Sequence, residues 1–415
     1  MKLKSILSHF YPSLGIYFGL FWGFNFLFLG CNSTPKNIST VDQKTVAANR
    51  NCVENFNQNT DYFPDKVKPQ FAQGFTVSYH KHYKVVTVKQ PWEDATQNLE
   101  YLFVQCGTPV PQNYPAATVV EIPTQRVLAM STTYLPHLEK LGKLDTLIGV
   151  GDRRLIYSKI IRQKITEGTI QEVGDLQPDA EKILSLQPDV ILSYRLDDGE
   201  GSRFNTLKSL KQTIVLDAAH LEPTPLGRAE WLKFTALLFN EEAKANQEFS
   251  AIAQRYQALV NKTQNLDQLP TVFSGSPFQG IWYVPAGNSY VAQFFKDAGA
   301  NYLWQDSTSR LSLPLDYEAV LKRAKNADFW LNPNQAWQTK NDLLNEDRRY
   351  DLLKASQNNQ VFVANARVNG DGGNDFWESG TTNPDIILAD LIKIFHPELL
   401  PEHQLYYYRQ LKSPI

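Results

Sequence analysis

The chain has 415 residues, of which 42% are hydrophobic and 20% charged, and its formal net charge is -2. That length exceeds what one hydrophobic core can fill, so two or three bodies are expected, and the composition excludes a disordered chain. Basic and acidic residues nearly balance, 41 against 43, and no basic stripe is visible, which argues against a nucleic-acid partner.

Lys2 and Lys4 precede an apolar stretch over residues 14–29 that ends in Phe28, Leu29, Gly30 and Cys31. A basic head, an apolar run and a small residue describe an export signal. A cysteine directly after the small residue resembles a lipobox, with the Cys31 thiol as the lipidation site, so residues 1–31 read as a signal with lipobox. An uncleaved membrane anchor is the alternative, and either places the remainder on the periplasmic or cell-surface side. Cys52 and Cys106 are then an exported pair and are expected to be oxidised. Closing that loop contributes about 4 kcal/mol by chain entropy.

Residues 32–60 are polar and read as a flexible tether. Residues 61–124 form a β-rich extension, with period-two stretches at 75–79, 83–88 and 101–104 that suggest a small antiparallel unit. From 125 to 225 short apolar strands alternate with helices: a strand at 126–131, a helix at 134–141 closed by Gly142, then strands at 147–151, 189–194 and 213–216. That alternation implies a mainly parallel sheet covered on both faces. Between 226 and 265 the strand signal stops, and Phe249, Ile252, Ala253, Tyr256, Leu259 and Val260 fall at helical spacing. The stretch 241–264 lacks Gly and Pro, so a rigid helix spanning on the order of 36 Å is expected. Alternation resumes over 266–415.

The two halves share one layout. Residues 179–192 and 316–331 each carry a glutamate in the first helical turn, Glu181 or Glu318, an apolar pair, and an aspartate leading a strand. The expected fold class is therefore α/β: two βα lobes with mainly parallel sheets, joined by one long rigid helix and preceded by the β-unit.

These residues, with Arg126 to Thr133, Ile148 to Gly151, and Val173 and Gly174 ahead of the first repeat, resemble the periplasmic binding proteins of iron-siderophore and cobalamin ABC importers. The resemblance covers about residues 120–400. It implies a ligand held between two lobes, and a glutamate from each lobe, Glu181 and Glu318, docking onto arginines of a permease dimer served by its ATPase. Charge-assisted bonds suit that task, although an acid in the first turn also serves the helix dipole wherever it occurs.

Ligands gather at the carboxyl ends of strands in such sheets. The candidates are Ser131, Thr132, Thr133, Tyr134, Tyr194 and Arg195 in the first lobe, and Trp282, Tyr283, Arg367, Asn374 and Trp377 in the second. Aromatic faces suit a large chelate and arginines suit carboxylates. The glycine-rich loop from Asn369 matches neither a phosphate nor a calcium pattern and reads as a cleft loop. The expected protein is a monomeric, membrane-tethered solute-binding protein without catalytic residues, cofactor or resident metal. Alternatives are a tethered sensor that does not deliver its ligand, a direct metal-ion binder using a residue such as His220, and a surface hydrolase.

Overall fold

The computed structural model describes residues 52–195 and 203–412. The signal and Cys31 lie outside the described residues.

The extension is a four-stranded sheet, β1 (Phe75–His80), β2 (Tyr83–Val88), β3 (Leu99–Gln105) and β4 (Thr118–Ile122), in sequential order. Its first three strands are antiparallel, but β4 runs parallel to β3, which corrects the expectation of an all-antiparallel unit. The reason is the long return over residues 106–117, since a parallel neighbour needs a crossover rather than a tight hairpin. Val120 and Ile122 then point inward, with the outer residues of β4 exposed. Cys52 and Cys106 are disulfide-bonded with Cα atoms 4.8 Å apart, within the usual range for a bridge.

The first lobe carries β5 (Val127–Ala129), β6 (Leu147–Val150), β7 (Gln171–Glu172), β8 (Val190–Ser193) and β9 (Ile214–Leu216), all parallel, in the order β7-β6-β5-β8-β9. The second carries β10 (Thr271–Ser274), β11 (Pro277–Phe278), β12 (Ile281–Pro285), β13 (Asn301–Tyr302), β14 (Ser312–Asp316), β15 (Phe329–Leu331), β16 (Val361–Val363) and β17 (Arg409–Gln410). Its main sheet runs β13-β10-β15-β16-β17, parallel except for β17 at the edge, and β11-β12-β14 form a small antiparallel sheet beside it. Two such lobes confirm the mainly parallel α/β class.

The repeated layout has a physical counterpart. Asp179 caps the helix Ala180–Leu186 by accepting from the Lys182 amide at 3.0 Å, a bond worth ~1 kcal/mol. The aspartates leading the strands do the same job in each lobe: Asp189 accepts from the amides of Gln125 and Arg126 at the root of β5, and Asp328 from the amide of Thr271 at the root of β10. Each clips its strand to the neighbour beside it.

The connection between lobes differs from the single helix expected over 226–265. It is three helices, Pro225–Ala229, Trp231–Leu237 and Glu242–Thr263. The break before the last falls at residues 238–241, where Asn240 adopts φ 56. The 22-residue helix is continuous and spans about 33 Å. Ala245 packs in the core of the first lobe, and Phe249 and Tyr256 in the core of the second, so one stiff element is embedded in both.

Candidate functional site

Strand carboxyl ends from both lobes open toward one cleft. A cavity of about 750 Å³ is lined by His220 to Pro223 beyond β9, by Ser274 and Gly275 at the end of β10, and by Asn332 and Pro333 beyond β15. Tyr283, Tyr290, Arg228, Arg310, Gln335 and Trp377 complete its working surface. A second cavity of about 210 Å³ lies at the first lobe's strand ends, lined by Ser131, Thr132, Thr133, Asp152, Asp175 and Tyr194. Trp377 borders both; the residue is 49% exposed and its indole N–H donates to Gln335 Oε1 at 3.1 Å.

Of the residues expected at the ligand, Ser131, Thr132, Thr133, Tyr194, Tyr283 and Trp377 therefore line a cavity. Arg195 does not line the larger one; its guanidinium stacks 4.0 Å over the ring of Trp92 in the β-unit. Trp282 is a correction: it is fully buried, packed against Phe273, Trp330, Tyr317 and Tyr350. Along β12 alternate side chains face opposite ways, and the face carrying Trp282 and Val284 points into the lobe. Tyr134 is likewise buried in the core of the first lobe. Asn374 is buried and structural, capping the helix Asp375–Glu378 through the Phe376 amide and donating to the Ala364 carbonyl. Arg367 is held by Asp375 at 2.6 Å and lies between the rings of Tyr157 and Tyr406.

Two lining guanidinium groups, those of Arg228 and Arg310, escaped the sequence reading, and His220, considered there only for direct metal binding, lines the cavity too. Arg228 stacks 3.8 Å over Tyr290, and its Nε and Nη2 donate to the carbonyls of Glu222 and His220. Arg310, exposed to solvent, lines the same cavity. His220 sits 5.9 Å, ring to ring, from Tyr194. Burial first and the Arg228 charge second pull its pKa down to about 4, so its imidazole is neutral at physiological pH. The cleft thus combines aromatic faces, hydroxyls and guanidinium groups with no nucleophile–base pair among these side chains. Among the described residues no group of three His, Cys, Asp or Glu side chains is placed to hold a metal ion.

The glycine-rich loop joins the lobes. Asn369 donates to the Ile156 carbonyl at 2.7 Å, Asp371 pairs with Arg162, and the Glu378 carboxylate accepts from the amides of Tyr157 and Ser158 at 2.6 and 2.9 Å. At Gly373 a β-carbon would sit 2.8 Å from the Ile156 carbonyl oxygen, so only glycine permits this approach. Glu181 is exposed, and the Glu318 side chain is 76% exposed while accepting from Arg349 at 3.3 Å.

Similarity to known proteins agrees with this geometry. The family model described as "Periplasmic binding protein" matches residues 127–368. An uncharacterized lipoprotein of Methanocaldococcus jannaschii is 31% identical over 299 residues, covering 70% of this chain and 69% of that protein. A second uncharacterized lipoprotein of the same organism is 24% identical over 330 residues, covering 75% and 80%. Among solved structures, a possible iron-binding (periplasmic solute-binding) protein from Staphylococcus epidermidis aligns with TM-score 0.52 and 16% identity, over 66% of this chain and 98% of that one. An ABC-type Fe3+-hydroxamate transport system protein from Saccharomonospora viridis aligns with TM-score 0.51 and 18% identity, over 66% and 94%. At these identities the structures speak for the fold alone. With two lobes, a stiff connecting helix, a cleft at the strand ends and a family match over more than half its length, the chain belongs to the periplasmic binding protein family.

Proposed function

We propose that the protein is the extracytoplasmic solute-binding component of an ABC importer, which captures a metal chelate of the iron-siderophore type and hands it to the permease dimer. The observation that carries this reading is the cavity of about 750 Å³ between the lobes, with an exposed tryptophan, two tyrosines and two arginines on its walls. That volume lies within the usual range for a small-molecule site, and guanidinium groups pair with the oxyanions of a chelate. Solved proteins of this fold include one described as a possible iron-binding protein and one of an Fe3+-hydroxamate transport system, which is compatible with that ligand class. Lipidation of Cys31 ties the protein to the membrane, in keeping with its lipoprotein relatives. Delivery rests on Glu181 and Glu318, one per lobe, each on the first turn of a helix and each exposed. Leu184, on the same face one turn after Glu181 and 46% exposed, gives that contact an apolar flank.

Two measurements test this. Ferrioxamine B or ferric citrate should quench tryptophan fluorescence, and Trp377→Phe should remove most of the quench. In cells, the double variant Glu181→Ala/Glu318→Ala should abolish uptake of the bound chelate while leaving its affinity unchanged. Normal uptake by the double variant rules out docking through these glutamates.

A further inference from the structure

The β-unit also reaches the cleft. Gln90 and Glu93, on the loop between β2 and β3, line the main cavity together with residues of both lobes. Next to it lies a smaller cavity of about 220 Å³, bounded by Gln73, Lys89 and Gln90 of the β-unit, Pro223 of the first lobe and Arg310 of the second. Three bodies therefore converge at one edge of the site.

The β-unit is bolted in place there by two buried carboxylates. Glu230 accepts from the amides of Gln70, Phe71 and Ala72 at 2.9, 2.6 and 2.8 Å, and Glu222 from those of Gln73 and Gly74 at 2.9 and 2.7 Å. The Trp231 indole N–H donates to Glu222 as well, at 3.0 Å, and a β-carbon on Gly74 would stand 2.8 Å from that ring. The Lys89 amide donates to the Gly74 carbonyl at 2.7 Å, which ties the root of the loop to the same anchor. Trp92, between Gln90 and Glu93, stacks on Arg195 of the first lobe. Backbone bonded this densely to buried acids is held as part of the first lobe.

We propose that the β-unit is a fixed third wall of the ligand cleft, and that Gln90 and Glu93 select chelates offering a hydrogen-bond donor or positive charge, such as an ammonium or amide N–H. This deepens, and rests on, the chelate-binding reading above. Glu93 and Gln90 are exposed while lining the cavity, so a ligand meets them without displacing the packed core. Arg228 and Arg310 supply the opposite charge on the same cavity, Arg310 at the edge that Gln90 also bounds. A ligand bearing only oxyanions suits the arginines and is repelled at Glu93.

The test titrates the full chain and three variants, Glu93→Gln, Gln90→Ala and Tyr283→Ala, with ferrioxamine B, which carries a free ammonium, and with ferric citrate, which does not. Glu93→Gln conserves shape and leaves the anchor untouched, so circular dichroism should match that of the parent protein. The preference for ferrioxamine B should fall at least fivefold in Glu93→Gln, read as weaker ferrioxamine B binding, tighter citrate binding or both. Gln90→Ala should weaken ferrioxamine B, and Tyr283→Ala should weaken whichever chelate binds. If the loop variants stay within twofold of the parent protein for every chelate while Tyr283→Ala loses affinity, the cleft reading stands and the third wall is overturned. A parent protein that binds neither chelate overturns the chelate reading and the third wall with it.

Discussion

Replacing Glu230 by alanine probes the joint that holds the β-unit. Its carboxylate is fully buried, accepts from three backbone amides and pairs with Lys233, whose side chain is 5% exposed, at 2.7 Å. Removing one partner of a buried ion pair costs about 3–5 kcal/mol because the other charge is left uncompensated. Each orphaned amide adds up to ~1–3 kcal/mol where it stays buried. Gln70 and Phe71 lie at the surface, so their amides can turn to water, and the ion-pair term dominates. A loss of about 4 kcal/mol is expected, equivalent to about a thousandfold in the local opening equilibrium. Hydrogen exchange followed by mass spectrometry should show residues 70–89 exchanging about three orders of magnitude faster in Glu230→Ala. The second lobe should be unchanged. Glu230→Gln, which keeps an acceptor but not the charge, should fall between. Protection of residues 70–89 within threefold of the parent protein would refute the anchoring argument.

Glu378 gives a pH signature. Burial raises its pKa to about 7 from 4.5, against the opposing pull of the Tyr157 and Ser158 amides. The folded protein then holds a proton that the unfolded chain has released, so stability is full below about pH 4.5 and declines as pH rises toward 7. The stability of the parent relative to Glu378→Gln should therefore fall by roughly 3 kcal/mol across that window, measured by urea denaturation at fixed pH steps; a difference independent of pH contradicts the assignment. Reducing the bridge between Cys52 and Cys106, which are 54 residues apart, should cost about 4 kcal/mol on loop entropy. A Cys52→Ser/Cys106→Ser variant should lower the thermal midpoint of the β-unit, and an unchanged midpoint would show that the noncovalent anchor suffices.

Much of the architecture was legible because its signals are local. The glutamate-bearing helix and aspartate-led strand recur in both halves, and the structure shows each aspartate clipping a strand to its neighbour. The long helix was visible from Phe249, Ile252 and Tyr256 at one face, and all three are buried. The Gly- and Pro-free stretch 241–264 matches the observed helix to within a residue at each end, whereas the preceding part of the connector forms separate helices that end where the chain turns at Asn240. The site was only half legible. Strand ends point to Ser131, Thr132, Thr133, Tyr194 and Tyr283, which line cavities, but alternation along β12 does not say which face meets the core, so Trp282, which is buried, reads equally well as a cleft residue. Arg228 was hidden in a stretch read as connector, although it stacks on Tyr290, 62 residues along the chain. Gln90 and Glu93 reach the cleft only through the docking of the β-unit onto Glu222 and Glu230, a tertiary event with no local signature.

Locating the iron of a bound chelate tests the account most directly. Crystals grown with ferrioxamine B or ferric citrate, measured at the iron absorption edge, should give one anomalous peak inside the cavity bounded by Tyr283, Arg228 and Trp377. A peak on an outer face, or a chelate bound in solution with no iron between the lobes, would contradict the claim that this protein grips its cargo in the cleft.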